Sequence, residues 1–371
     1  MANKPYVLYA WHLSYFSGKT RCYLRYKGIP YVEKPIDLYS FSVRIKKKTG
    51  AAVMPVVVTP EGEWLQDTSA IMDELEQRFP NGSVIPATPV QRFASYVMEL
   101  WGDEWWIPIA MHTRWSYPEN YALFEREGGD HLLPGFPRFL KNRVVATAAN
   151  QMRQHKPNVG IVPEQFAIME TWAHNMLDLL DQHFAQVPFL FGDKPSLGDF
   201  GLVGTMYGHL GRDPWPKKHM VDPRRHLRAW IDRMAEPAQP CSGTFLPGDR
   251  IPESLIPVFQ AIFREFIPML EGIIGKVRAY LPKHPDDGRP IPRGLGFIEF
   301  PMGEKRFRRA ALPYTLWMAQ RALDVYKQMN PQEQAAVRSW LKALGGERLL
   351  ALEIPRLKRM ALRVAPEKSA A

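Results

Sequence analysis

Cysteine is almost missing from these 371 residues: Cys22 and Cys241 are the only two. Two thiols cannot build a disulfide framework, and neither sits at metal-ligand spacing, so no metal site is expected and a reducing compartment fits. Cys22 is expected to be a packing residue inside the first helix. Long apolar runs are missing as well. No stretch of about 18 uninterrupted apolar residues occurs, which argues against a membrane span. Met1-Ala2-Asn3-Lys4-Pro5 runs straight into the first strand, without the charged and apolar regions of a secretory signal. A soluble, cytoplasmic protein is the expectation. Repeats and sustained heptads are also lacking, which leaves solenoids and coiled coils aside.

What is present is ordinary globular composition, 46% hydrophobic and 23% charged, with length for two or three packed units. The net charge of +10 raises the question of nucleic acid. The basic residues cluster only at Arg44-Ile45-Lys46-Lys47-Lys48 and Lys305-Arg306-Phe307-Arg308-Arg309, and no recognised nucleic-acid module accompanies them. Solvated faces are the simpler reading, and no nucleic-acid partner is expected.

The first 80 or so residues alternate strand and helix signals. Tyr6 to Trp11 is an apolar strand, and Gly18 to Lys27 is helix-compatible, stopped by Gly28-Ile29-Pro30. Tyr31 to Lys34 is a second strand, and a second helical stretch ends near Gly50. Val53 to Val58 and Glu63 to Gln66 flank the turn Thr59-Pro60-Glu61-Gly62 as a hairpin. A third helix runs from about Thr68 to Phe79. At the first strand-to-helix junction lie the hydroxyls of Ser14, Tyr15 and Ser17. A hydroxyl at a helix start can hold an anion such as a thiolate, because the first helical N–H groups have no intrahelical partner. Ser17 is equally suited to be the N-cap of this helix.

The order β-α-β-α-β-β-α, with its islands Ser14 to Ser17, Val53-Met54-Pro55 and Gln66-Asp67-Thr68, resembles the thioredoxin-like domain of the glutathione S-transferases. The resemblance implies an α+β fold, with a glutathione-binding domain over 1–82 and an all-helical second-substrate domain over 90–236. It implies that Pro55 is cis, that the Met54 backbone pairs with glutathione, and that Asp67 and Thr68 grip the γ-glutamyl end. By the same resemblance the glutathione sulfur is contacted by Ser14, with Tyr15 and Ser17 as alternatives. Val53 stands where many members carry a lysine, so the glycyl carboxylate falls to Lys46, Lys47 or Lys48. A serine at this junction cannot form a mixed disulfide. The expected activity is therefore attack of a glutathione thiolate on an apolar or aromatic electrophile, by conjugation, thiolytic ether cleavage, dehalogenation or isomerisation. A homodimer is implied too, and a non-catalytic interaction protein on the same scaffold is the alternative.

Beyond residue 90, amphipathic helical segments take over. Pro195-Ser196-Leu197-Gly198-Asp199-Phe200 has the spacing of a capping box. Trp101, Trp105, Trp106, His112 and Trp115 crowd one stretch, with Arg114 among them, and are placed either in the second-substrate pocket or in the core between domains. The resemblance ends near residue 236. The remainder, 238–371, is read as a helical extension: Ile251 to Tyr280 with a break at Pro268, a loop over 282–290, then helix over Phe307 to Met329 and Pro331 to Val364. It is assigned to capping the pocket, forming a dimer face or binding a partner.

Overall fold

The computed structural model describes residues 4–284 and 288–367. Positions 1–3, 285–287 and 368–371 lie outside the described residues, so the loop read over 282–290 is seen only at its two flanks.

Strand β1 (Tyr6–Ala10) carries Leu8 and Ala10 into the core and pairs in parallel with β2 (Tyr31–Pro35) across helix α1 (Tyr15–Tyr26). A π-helical turn, Ser40–Ile45, leads into α2 (Lys46–Thr49), which Gly50 ends at φ 80°. Strands β3 (Val56–Val58) and β4 (Trp64–Gln66) complete a sheet of order β2-β1-β3-β4. The first of these is shorter than its apolar run because Pro55 has no N–H for the ladder. Helix α3 (Thr68–Arg78) follows directly. Ser14, not Ser17, caps α1: its side chain accepts from the Ser17 N–H at 3.3 Å. Ser17 already lies in the first turn, fully buried, where its hydroxyl accepts from the Trp11 N–H.

Helices α4 (Pro89–Glu104), α5 (Ile107–Ser116), α6 (Glu119–Leu132), α7 (Arg138–Gln154), α8 (Phe166–Phe184), α9 (Leu197–Thr205), the single turn α10 (Pro214–Pro216) and α11 (Arg225–Ala235) form the helical unit. Every residue of α9 is buried, and the Ser196–Asp199 capping box at its start is formed as the spacing predicts. The Asp199 carboxylate also accepts from the Trp230 indole and the Leu190 N–H, and burial pushes its pKa up to about 6. Helix α9 lies against α4 with backbones touching. A Cβ on Gly102 would stand 2.5 Å from the carbonyl carbon of Gly201.

The extension departs from its sequence reading in two ways. Helix α12 (Ile256–Tyr280) runs unbroken through Pro268. The segments read as helix around Phe307 and up to Val364 are instead arms of hairpins, β5 (Phe297–Met302) with β6 (Lys305–Ala310), and β7 (Leu357–Met360) with β8 (Arg363–Pro366). Between these hairpins lie α13 (Tyr314–Gln328) and α14 (Pro331–Leu344). The basic run is an alternating strand. Phe307 and Arg309 turn inward, while Arg308 stacks its guanidinium on Phe297, 4.2 Å from the ring centre. The extension has no core of its own: one hydrophobic cluster joins Leu8 of the sheet, Trp101 and Phe200 of the helical unit, and Phe266, Leu316 and Val364 of the extension. Among the described residues, no helix is long and apolar enough to cross a membrane.

Candidate functional site

A cleft of about 210 Å³ opens between the β3–β4 end of the sheet, the last turn of α4 and the extension. All six residues expected on the glutathione side line it: Val53, Met54, Pro55, Gln66, Asp67 and Thr68. The Met54–Pro55 bond is cis, as the resemblance implies. Asp67 sits at φ 79°, a conformation rare for a side-chain-bearing residue, and caps α3 by accepting from the Ser69 and Ala70 N–H groups, each at 3.1 Å. The cleft thus presents an ionisable carboxylate directly beside the N-terminus of a helix whose Thr68 and Ser69 line the same space.

The hydroxyls of the first junction are not among the lining residues; Phe16 is. Tyr15 is buried, with its phenol donating to the Gly102 carbonyl, and burial holds its pKa well above the usual phenol range. It anchors α1 to α4 and is closed to a ligand, as is buried Ser17. Ser14 is half-buried, and among the described residues its hydroxyl proton has no acceptor. Its turn is held from behind by Arg114, which donates to the Leu13 and Gly208 carbonyls and pairs with Asp213 at 2.7 Å. Arg114 is therefore scaffold, not a pocket group.

None of Trp101, Trp105, His112 and Trp115 lines the cleft. Trp101, Trp105, Trp106 and Trp172 pack together with Phe266 and Phe300 in the core. Trp115 meets Phe124 with ring centres 4.7 Å apart, under the Arg153 guanidinium. His112 is buried between Ser116 and Glu170, 2.8 Å from the latter, and burial outweighs that carboxylate in lowering its pKa. Helix geometry gives the reason. Trp101 and Trp105, four apart, share one face of α4, and Asp103 between them points the other way.

Asp103, Glu104 and Ile107 supply the wall expected of the tryptophans. Beneath them Lys19 is buried, 2.8 Å from Glu99 and 2.6 Å from Asp103, and the Ser69 hydroxyl donates to Glu99 at 2.7 Å. Burial alone would raise the Glu99 pKa, but Arg321 and Lys19 outweigh it and hold the carboxyl down to about 2. Burial pushes Asp103 up, with the Glu99 charge adding to it against the pull of Lys19. Burial also raises Glu104, which accepts from the Thr315 hydroxyl. Lys46, Lys47 and Lys48 are exposed on α2, and none lines the cleft. The free thiol of Cys22 is buried, and burial pushes its pKa up to about 12. Among the described residues no three His, Cys, Asp or Glu side chains are grouped to hold a metal ion.

Several lining residues have no counterpart in the sequence reading. The acid pair Asp103-Glu104 inside a tryptophan-rich helix is the one sequence signal available for them. Nothing local marks Leu312, Tyr314, Met318 and Leu362, which reach the cleft from the extension.

Comparison with known proteins gives two domain matches. The sequence profile of the glutathione S-transferase N-terminal domain matches residues 8–83, and that of the glutathione S-transferase C-terminal domain matches residues 165–233. A probable maleylacetoacetate isomerase of Caenorhabditis elegans is 32% identical over 102 residues, 27% of this chain and 47% of that protein, so the chain spans under half the length of that relative. A tetrachloro-p-hydroquinone reductive dehalogenase of Sphingobium chlorophenolicum is 24% identical over 236 residues, 61% of this chain and 90% of that protein. Among solved structures, the β-etherase LigF of Sphingobium sp. strain SYK-6 is similar at 19% identity and a TM-score of 0.42, covering 64% of this chain and 97% of that one.

Proposed function

Because the chain belongs to the glutathione S-transferase family and carries both of its domains, we propose that its cleft binds glutathione and that the glutathione sulfur attacks an uncharged apolar or aromatic electrophile there. One observation supports this most directly: Met54-cis-Pro55 and the Asp67-capped start of α3 face the same cleft. In this reading the Met54 backbone pairs with the cysteinyl residue of glutathione as an added strand. Asp67 takes the γ-glutamyl ammonium by a charge-assisted hydrogen bond, and Thr68 with the first N–H groups of α3 takes the γ-glutamyl carboxylate. Ser14 stands outside the cleft lining but two residues from lining Phe16, and in this reading its hydroxyl turns its free proton to the sulfur and favours thiolate over thiol. The thiolate then forms a carbon–sulfur bond to the acceptor, whose leaving group departs with the electron pair; an acceptor without one is isomerised and releases the thiolate again.

The relatives' names span isomerisation and reductive dehalogenation, and the apolar wall of Phe16, Ile107 and Met318 suits an acceptor of either kind. The unpaired Cys22 and Cys241 fit a cytoplasmic setting, and the family resemblance carries a homodimer with it, which light scattering on the purified chain tests. Titration calorimetry with glutathione tests the function itself. Binding in the millimolar range or tighter is expected, and heat indistinguishable from dilution at millimolar glutathione ends the enzyme reading.

A further inference from the structure

The glutathione cleft has two walls, and the second comes from 247 positions further along the chain, where the Tyr314 phenol donates to Asp67 Oδ2. The other carboxylate oxygen of Asp67 is already taken by the helix cap. Cap and phenol together fix the orientation of the one acid placed at the γ-glutamyl end. Next to it, Arg359 donates to the Gln66 side chain at 2.6 Å.

This wall is not a detachable flap. Arg321, four-fifths buried or more and two turns along α13 from Tyr314, pairs with Glu99 at 2.5 Å and Asp73 at 2.8 Å, and Thr315 donates to Glu104. Leu316, Met318 and Val364 belong to the same core as the sheet. The cleft also remains open while the extension is docked, so the extension walls the site without plugging it. Among the described residues, the ionisable side chains lining the cleft, besides the Tyr314 phenol, are Asp67, Asp103 and Glu104, all acids. Beside them the extension contributes Leu312, Met318 and Leu362.

Resting on the glutathione reading, we propose that the extension is a permanent wall of the active cleft. Tyr314 is a positioning residue that aims Asp67 at the γ-glutamyl ammonium, and Leu312, Met318 and Leu362 receive the acceptor. The acceptor's reacting end is uncharged: an anionic group would lose its water and meet no cation among the described lining residues.

Calorimetry on the full chain separates these parts with four probes: glutathione, its analogue lacking the γ-glutamyl amine (glutaryl-cysteinylglycine), S-hexylglutathione and S-carboxymethylglutathione. Tyr314→Phe keeps the ring and removes the hydroxyl. It is expected to weaken glutathione by about five- to tenfold, the scale of one hydrogen bond, and to leave the analogue lacking the amine unchanged. S-Hexylglutathione is expected to bind about tenfold or more tighter than S-carboxymethylglutathione, and Leu362→Ser, on a half-buried hairpin turn, to shrink that advantage without weakening glutathione.

Equal loss for glutathione and the analogue lacking the amine would make Tyr314 merely structural and overturn its assignment. Equal binding of the hexyl and carboxymethyl probes would overturn the apolar wall. If the wild-type chain binds none of the four, the glutathione reading fails and takes this proposal with it. If the wild type binds glutathione and Tyr314→Phe binds it equally well, the glutathione reading stands and only the positioning role is lost.

Discussion

Arg321 Nη1 lies 2.5 Å from Glu99 Oε2, joining the middle of α13 to the middle of α4 across 222 residues of sequence. Glu99 is fully buried and, among the described residues, has only Lys19 as a second cation. Arg321→Ala would leave its carboxylate short of half its compensation. A loss of about 3–5 kcal/mol in urea unfolding is expected, the range for breaking a buried pair; a loss below about 1 kcal/mol would show the extension to be loosely applied to the rest.

Ser14 has two duties that one substitution confounds and a second separates. Ser14→Ala removes the cap of α1, at a cost of about 1 kcal/mol, and the proposed donor to sulfur. The thiol of bound glutathione should then titrate about one unit higher, read from thiolate absorbance against pH, which corresponds to about 1.4 kcal/mol. Ser14→Thr restores a hydroxyl and should bring the titration back. An unchanged titration in Ser14→Ala would free the sulfur contact from this residue.

His183 ties α8 to the start of the extension, with one ring nitrogen 2.8 Å from the Ser254 hydroxyl and the other 3.2 Å from the Phe189 carbonyl. Burial lowers its pKa from 6.5 to about 4. The unfolded chain therefore takes up this proton at higher pH than the folded one. The stability it contributes is complete above pH 6.5 and is lost as pH falls toward 4, with a total of about 3 kcal/mol. His183→Gln should flatten that part of the stability profile; an unaltered slope between pH 6.5 and 4 would mean the ring is protonated in the native state.

Gly102→Ala tests the α4–α9 contact on which the cleft floor rests. Its new Cβ would meet the Gly201 backbone at 2.5 Å, and backbone cannot rotate away as a side chain can. A destabilisation of about 3 kcal/mol is expected by thermal or urea unfolding, together with weaker glutathione binding because Asp103 and Glu104 follow in the same turn.

The side of the cleft proposed for glutathione was legible because it is local. Met54-Pro55 and Gln66-Asp67-Thr68 are short islands whose backbone roles, a strand start without an N–H and a helix cap, are written in the residues themselves. The side proposed for the acceptor was not, because aromatic density does not say which way a helix faces. Trp101 and Trp105 satisfy a pocket and a core equally well, and the packing of α8 and α12 decided for the core. The hairpin arms at 305–310 and 357–366 were hidden for a different reason. In β6, inward Phe307 and Arg309 alternate with outward basic residues, and a buried arginine looks the same in sequence as a solvated one. Arg309 keeps one N–H on the Glu104 carbonyl and is drawn down to about 10 by burial.

The shared core has a consequence for how such a chain can change over evolutionary time. Two matched domains followed by an unmatched tail look like a module with an appendage, open to loss or exchange. Cutting at residue 237 would instead bare the Phe93 face of α4, which meets Tyr326 and Trp340, and strand Glu99 with half its partners. The tail cannot be shed without remaking the helix that floors the cleft, so its sequence and the chemistry of the cleft are bound to drift together.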